Sequence, residues 1–367
     1  MIDTASKYKF LFAGGGTGGH LFPAVAVAQE IKEMKPKAEI LFVGTKNKIE
    51  GRVLPKLGFP LKSIWIEGFY RKFDLRNLLF PLRLIVSVAQ SLFINIVYKP
   101  KVAIGTGGYA AGPAIWAAWV LGAKIILLEQ NSYPGVTTRL LERYANEVHL
   151  SFEDSKKYLK RKNVHYLTGN PVRKNLGSSS KQDALRLFGL SSEKKTLLVL
   201  GGSLGARSLN TAVKKNVKSI SENEIQIIWQ TGKNYYNDYK NLNSDMVKVH
   251  DFIEDMNAAY SACDLMLARA GATTIAEILV LGIPCVLVPS PNVAENHQYY
   301  NAKSLADKGA AILIEDAKVA DELPNIVFNT LSSNNQLNKL RNNALSIAKP
   351  NAAKEIAKNA VKYAEAG

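Results

Sequence analysis

Cysteine is almost missing: the chain has 367 residues and only Cys263 and Cys285. So few thiols exclude a disulfide framework and point to a reducing compartment. Metal-binding patterns are missing too. The five histidines (His20, His149, His165, His250, His297) show no His-Glu-x-x-His spacing, no cysteine pair joins them, and no Asp-x-Asp occurs. The chemistry is therefore expected to need no metal and no cofactor. No Gly-Lys-Ser/Thr is present, which excludes a Walker A loop. The apolar run that begins near Tyr8 stops at glycines after a few residues. It is too short for a signal-peptide core, so the expectation is a soluble cytoplasmic protein unless something attaches it to a surface.

Acidic side chains are in deficit, with 31 Asp+Glu against 47 Lys+Arg and a net charge of +16. Apolar residues at 47% and charged residues at 21% exclude a wholly disordered chain. The excess charge is uneven. Residues 1–169 hold 24 basic and 12 acidic side chains, and residues 170–367 hold 23 and 19. A one-sided excess suggests an anionic partner for the first half, nucleic acid or an anionic membrane surface. No aromatic-interleaved basic module is present, so nucleic acid is not expected.

The length suits two domains. Residues 8–13 (YKFLFA) read as a strand, GGGTGGH as a glycine loop, and LFPAVAVAQEIKEM as a helix. Further strand-like runs at 39–43, 102–104, 124–128 and 148–151 alternate with helical stretches, as in a parallel doubly wound sheet. After Gly169-Asn170-Pro171 the pattern restarts: TLLVL, then GGSLGAR, then SLNTAVKKNVKSI. IQIIWQTG, MVKVHDFI, DLMLARAG and IPCVLVPSP follow as further strand-like segments. Two similar α/β halves are expected, 1–169 and 170–349, with ligands at the carboxyl ends of their strands and one cleft between them. The alanine-rich tail, 351–366, is a strong helix former that either completes the second half or crosses back to the first.

Four glycine-containing or polar segments fall at strand ends. GGGTGGH is not a dinucleotide fingerprint, because the second strand ends at Val43-Gly44-Thr45 without an acid. Its glycines let the backbone approach a ligand, and His20 at its exit has a pKa class suited to acid–base work. GTGGYAAGP (105–113) is a second such loop, and LLEQNSYPG (127–135) sets Glu129, Gln130 and Asn131 beyond a strand. GGSLGAR (201–207) repeats the design with the hydroxyl of Ser203. In the stretch 268–289, Gly271-Ala272-Thr273 opens a helix whose first-turn amides suit a pyrophosphate. Glu277, one turn beyond Thr273, is placed to accept two sugar hydroxyls.

Residues 69–100 join Arg71, Lys72, Arg76 and Arg83 to Leu75, Leu78, Leu79, Phe80 and Leu82. Ser87, Gln90, Ser91 and Asn95 interrupt the later apolar stretch, which thus falls short of a spanning helix. The i+4 spacing of Ser87, Ser91 and Asn95 suggests an amphipathic buried helix, and the basic–apolar mixture before it suits a membrane interface.

Taken in order, GGTGGH-FP, GTGGY-GP, EQN, GNPVR, GGS-GAR, GAT-AE and Gln298-Tyr299 with Asn301-Ala302 resemble the MurG family over nearly the whole chain. These are membrane-associated glycosyltransferases of peptidoglycan synthesis. The resemblance implies the GT-B architecture: two Rossmann-like domains facing a central cleft, with the C-terminal helix, 350–367, packed back on the first. It implies inverting transfer of GlcNAc from UDP-GlcNAc to the C4 hydroxyl of MurNAc in lipid I, giving lipid II. A role in cell-wall growth, shape and division would follow, at the cytoplasmic face of the inner membrane as a peripheral protein on an anionic leaflet. His20 is then the general base. Thr17, Gly18, Gly19 and Asn131 belong to the donor site, with Arg173, Ser203, Ile253 and Gln298. Ala272, Thr273, Thr274, Ile275, Ala276 and Glu277 complete it, Glu277 holding the ribose and the Ile253 backbone reading uracil. The sequence departs from the family where Ala270 replaces a common serine, Ala111 another, and NVAENH a more basic loop. The alternatives are another GT-B UDP-sugar transferase acting on a lipid, and a UDP-GlcNAc 2-epimerase, which leaves the segment 69–83 unexplained.

Overall fold

The computed structural model describes residues 8–68, 78–174, 176–202 and 204–366. Ser203 therefore lies outside the described residues, as do Arg71, Lys72, Leu75 and Arg76. The chain divides into two units, Met1–Arg173 with Lys349–Gly367, and Lys174–Ala348. The first boundary falls after Arg173 because the Gly169 turn stays with the first unit. There Gly169 N donates to Leu150 O (3.0 Å), and a Cβ on Gly169 would sit 2.3 Å from Lys349 Cβ.

The first unit is built on seven parallel strands: β1 (Lys9–Ala13), β2 (Glu39–Gly44), β3 (Leu61–Ser63), β4 (Val102–Gly105), β5 (Lys124–Glu129), β6 (Glu147–Leu150) and β7 (His165–Tyr166). Their order is β3-β2-β1-β4-β5-β6-β7. Its helices are α1 (Gly18–Met34), α2 (Ile49–Val53), α3 (Phe80–Tyr98), α4 (Ala111–Val120) and α5 (Val136–Leu141). The central strands are continuous apolar runs because both faces of the sheet are covered. Phe10 and Phe12 serve the core on one face, Leu11 and Ala13 that on the other.

The second unit repeats the plan with β8 (Lys195–Leu200), β9 (Ile225–Gln230), β10 (Val247–His250), β11 (Leu265–Ala268), β12 (Cys285–Leu287) and β13 (Ile312–Leu313). They are ordered β10-β9-β8-β11-β12-β13, again all parallel. Its helices are α6 (Lys181–Leu187), α7 (Arg207–Glu222), α8 (Tyr236–Tyr239), α9 (Met256–Ala262), α10 (Ala272–Leu281), α11 (His297–Ala306), α12 (Val319–Ser332) and α13 (Asn334–Ile347). In α7 the buried positions Leu209, Ala212, Val213, Asn216 and Ile220 recur every three or four residues, the stripe a helix needs to cover a sheet.

The last helix, α14 (Ala352–Ala366), belongs to the first unit. Ile356, Ala357, Ala360, Val361 and Ala364 join the core around Phe10 and Phe12. Small alanines let the helix approach closely, and each fully buried Ile or Val contributes about 1.5–3 kcal/mol. Polar ties fix its register: Asn359 Nδ2 donates to Glu147 Oε2 (2.8 Å), and Tyr8 Oη donates to Glu365 Oε1 (3.1 Å).

One helix departs from expectation. α3 is long and apolar enough to cross a membrane by length and composition, and it is not the buried helix its spacing suggests. Only its polar stripe, Ser87, Ser91 and Asn95, is buried. Asn95 Nδ2 donates back to Ser91 O (2.8 Å) and across to Ala114 O of α4 (3.4 Å). Ile85, Phe93 and Val97 stand about two-thirds exposed (67%, 68% and 66%), so the helix is amphipathic with its apolar side outward.

Candidate active site

Each sheet reverses direction once. In the first unit β1 and β4 are neighbours from which the order runs outward both ways; in the second, β8 and β11 play that part. Crevices beyond the carboxyl ends of such strands are where open α/β sheets bind ligands. GGGTGGH follows β1, GTGGY follows β4, GGSLGAR follows β8 and ARAGAT follows β11. The sheet order puts all four segments at these positions.

The two loops of the first unit need glycine because they pack against each other too closely for a Cβ. A Cβ on Gly14 would lie 2.0 Å from Thr106 Oγ1, and one on Gly108 2.7 Å from Gly15 O. Gly107 has φ +91°, and its Cβ would stand 2.9 Å from His20 Nδ1. The second glycine loop thus forms the wall against which the His20 ring lies.

Thr17, Gly18, Gly19 and His20 make the entry to α1. Thr17 is exposed and extended, and its hydroxyl makes no cap bond to the helix. No acidic residue occupies the first turn, so neither a cap nor a side-chain carboxylate there answers the positive helix end. Pro23, inside α1, has no N–H for the Gly19 carbonyl. A residue that sequence reasoning missed supports the loop from beneath. Glu50 of α2 is buried and accepts Gly16 N (3.0 Å), Thr45 N (2.9 Å) and Thr45 Oγ1 (2.7 Å). Nothing in its sequence surroundings marks it, because its partners lie in two other loops.

His20 is half-buried, and its Nδ1 lies 3.2 Å from Gln130 Oε1. Gln130 Nε2 donates to Leu128 O (3.1 Å), which fixes the amide so that its oxygen faces the ring. That arrangement suits a proton on Nδ1. Loss of water around the ring holds its pKa below 6.5. The Gln130 bond, the Thr106 carbonyl and the Glu50 charge oppose that shift without cancelling it. The imidazole is therefore neutral at pH 7, the form a base needs.

Asn131 is held by Glu129. Glu129 Oε1 accepts Asn131 N (3.0 Å) and Oε2 accepts Gly135 N (3.0 Å), so one buried carboxylate spans the loop. Burial raises its pKa, and the bonds from Thr138, Asn131 and Gly135 pull the other way. Arg173 also lies in this unit, its guanidinium 5.6 Å from the Phe22 ring centre.

The second unit carries Ile253, the start of α10 and Gln298. Ala272, Thr273, Thr274, Ile275, Ala276 and Glu277 form the first turn and a half of α10, with Gly271 as its cap residue. Thr273 Oγ1 is buried and has no hydrogen-bond partner. Glu277 is buried, and Tyr260 Oη donates to its Oε2 at 2.6 Å. Gln298 Oε1 accepts Ser290 N (2.9 Å), which closes the loop ahead of α11. Ile253 N donates to Gln230 Oε1 (2.9 Å), and Gln230 Nε2 donates to Gly202 O (3.2 Å). Gln230 thereby ties the third glycine loop to Ile253. Its position at a strand end was the available signal, and Tyr260 had none. Among the described residues, no three His, Cys, Asp or Glu side chains converge as metal ligands would.

Two sheets of this order, with glycine loops at both reversal points, are those of the GT-B fold. Residues 10–150 match the glycosyltransferase family 28 N-terminal domain and residues 196–360 its C-terminal domain. Two curated relatives carry the name UDP-N-acetylglucosamine--N-acetylmuramyl-(pentapeptide) pyrophosphoryl-undecaprenol N-acetylglucosamine transferase. The Flavobacterium psychrophilum protein is 40% identical over 98% of this chain and 98% of its own. The Bacteroides thetaiotaomicron protein is 42% identical over 98% and 99%. The crystal structure of Acinetobacter baumannii MurG superposes with a TM-score of 0.77 at 29% identity, covering 97% of this chain and 99% of its own. The chain belongs to the MurG family. A Listeria monocytogenes structure titled as a putative UDP-N-acetylglucosamine 2-epimerase (TM-score 0.71, 12% identity, 97% and 96% covered) shares the fold alone.

Proposed function

We propose that this chain transfers GlcNAc from UDP-GlcNAc to the C4 hydroxyl of MurNAc in lipid I, with inversion, forming lipid II. The observation that carries the reading is about 40% identity, over nearly the full length, to transferases of that name.

In this reading the His20 Nε2 lone pair takes the proton of the acceptor hydroxyl. The hydroxyl oxygen bonds to C1 of GlcNAc as the bond from C1 to the phosphate oxygen breaks, and UDP leaves with that electron pair. Charge gathering on the pyrophosphate is met by helix-start dipoles at Gly271-Ala272 and after GGS, with Thr273 Oγ1 as a donor. Glu277, held by Tyr260, accepts the ribose hydroxyls. Because Ile253 N–H is engaged by Gln230, uracil recognition falls to the Ile253 carbonyl. Gln298 and Ser203 complete the donor contacts in the second unit; Thr17, Gly18, Gly19, Asn131 and Arg173 contribute from the first.

The acceptor is lipid-linked, so the enzyme works at the cytoplasmic face of the inner membrane as a peripheral protein, and no nucleic acid is needed to account for its charge. The outward apolar side of α3 supports this, as does the basic excess of residues 1–169. Arg83 is not part of that basic surface, because its guanidinium pairs with Glu67 and lies over Trp65.

The test is UDP release from UDP-GlcNAc by the full chain. Release only after adding a lipid-linked MurNAc acceptor, with a disaccharide product, supports the transfer. Release or epimerisation without acceptor overturns it.

A further inference from the structure

Glu50 is buried beneath the first glycine loop, and the groups it meets there do not call for a charge. Its two oxygens accept Gly16 N (3.0 Å), Thr45 N (2.9 Å) and Thr45 Oγ1 (2.7 Å). Among the described residues these three neutral donors are its partners, and no lysine or arginine pairs with it. Glycines make the room it occupies. A Cβ on Gly15 would stand 2.5 Å from its Oε1, and one on Gly44 2.9 Å from its Cγ. Burying a carboxylate without a cation is costly, and a neutral amide oxygen would accept two of the three bonds. Holding the loop does not by itself account for that cost.

His20 supplies the reason. It is the third residue of α1, where the positive end of the helix opposes a second proton on the ring. Gly16, which Glu50 holds, stands two residues ahead of the helix start at Gly18. Gln130 and the Thr106 backbone reach the ring by hydrogen bonds, and Glu50 is the side chain that acts on it by charge. That charge favours the protonated ring, against the effect of burial. We propose that Glu50 is a positioning residue for the transfer: it fixes the loop that carries His20, and its charge steadies the imidazolium formed as the acceptor hydroxyl gives up its proton. The proton goes to a ring nitrogen, and an electron pair of the hydroxyl oxygen forms the bond to C1 of GlcNAc. The pair of the breaking bond leaves with UDP, and Glu50 itself gains no proton. The proposal rests on the reading of His20 as the base.

The test reads His20 directly, by NMR of the histidine Cε1–H signals of the full chain against pH, with His20→Ala identifying its resonance. Glu50→Gln keeps the shape and removes the charge, so the His20 midpoint should fall by about half a pH unit or more. The midpoint of kcat/KM, measured with a lipid-linked MurNAc acceptor, should fall with it, and kcat should drop severalfold. Thr45→Val removes one donor to the carboxylate and leaves the charge, so the His20 midpoint should stay in place. This milder variant decides the question by itself if Glu50→Gln does not fold, which circular dichroism reports. An unmoved midpoint in Glu50→Gln, or a fall in Thr45→Val, overturns the proposal and makes Glu50 a support of the loop only. His20 then remains the base wherever the rate still follows its titration. A lowered NMR midpoint with an unmoved rate profile overturns His20 as the base, and the part of Glu50 in catalysis with it.

Discussion

At the His20 ring a burial effect outweighs three opposing ones, and the sign of that balance has a kinetic consequence. With its pKa held below 6.5 by loss of water, His20 is protonated and inactive only in acid. The rate under kcat/KM conditions should rise with pH, reach its half-maximum below pH 6.5, and be level by neutrality. A midpoint clearly above 6.5 in the pH profile contradicts the assignment. His20→Ala should lower kcat by about 10²–10⁴ with UDP affinity largely kept, since a base acts on the transition state more than on the bound donor. Loss of UDP binding in proportion to rate would recast His20 as a binding residue. Glu277 is the converse case. Removing a charge-assisted acceptor costs about 1.5–3 kcal/mol, so Glu277→Ala should weaken UDP about ten- to a hundredfold by calorimetry while the fold persists. An unchanged affinity removes Glu277 from the ribose site.

Among the elements, the glycine loops were legible and their supports were not. A run such as GGGTGGH after an apolar strand announces a loop that something must approach, but one sequence does not say that the approaching group is another glycine loop. Glu50 escaped notice because its three donors come from Gly16 and Thr45, and its role exists only after folding. The short strands β3, β7 and β13, of two or three residues, carry too little pattern to read. In α3 the spacing of Ser87, Ser91 and Asn95 located one face correctly, yet spacing alone does not say which face turns inward. Small polar residues won the inside because they let α3 and α4 approach, with Asn95 bridging to Ala114 O. These contacts make Gly107 a sharp test. Alanine there carries a strained φ and a Cβ 2.9 Å from the imidazole, so the ring must move. Gly107→Ala should lower kcat severalfold or more with a much smaller change in UDP affinity, because Ile253 and Glu277, proposed to hold uracil and ribose, lie in the other unit. Full turnover in that variant would mean the ring position does not matter.

For the molecule as a whole, the repetition of strand, glycine loop and helix revealed two α/β units, and composition revealed the unequal charge. What composition could not give is where the apolar surface goes. The outward side of α3 puts Leu82, Ile85, Phe93, Ile96 and Val97 on the same unit that carries most of the net charge. Two attractions to an anionic bilayer should then be separable. Each basic side chain near the surface is worth about 1 kcal/mol, and that share fades as salt shortens the screening length from about 10 Å at 0.1 M to about 3 Å at 1 M. The apolar share does not fade with salt. Sedimentation with phosphatidylglycerol vesicles should show strong binding at 0.1 M salt, weaker but persistent binding at 1 M, and less binding to phosphatidylcholine throughout. I85E/F93E should abolish the salt-resistant part and leave UDP affinity intact, since neither residue is among the donor contacts. Binding that ignores both salt and lipid charge, and survives the double variant, would make the α3 face a surface for something other than a membrane.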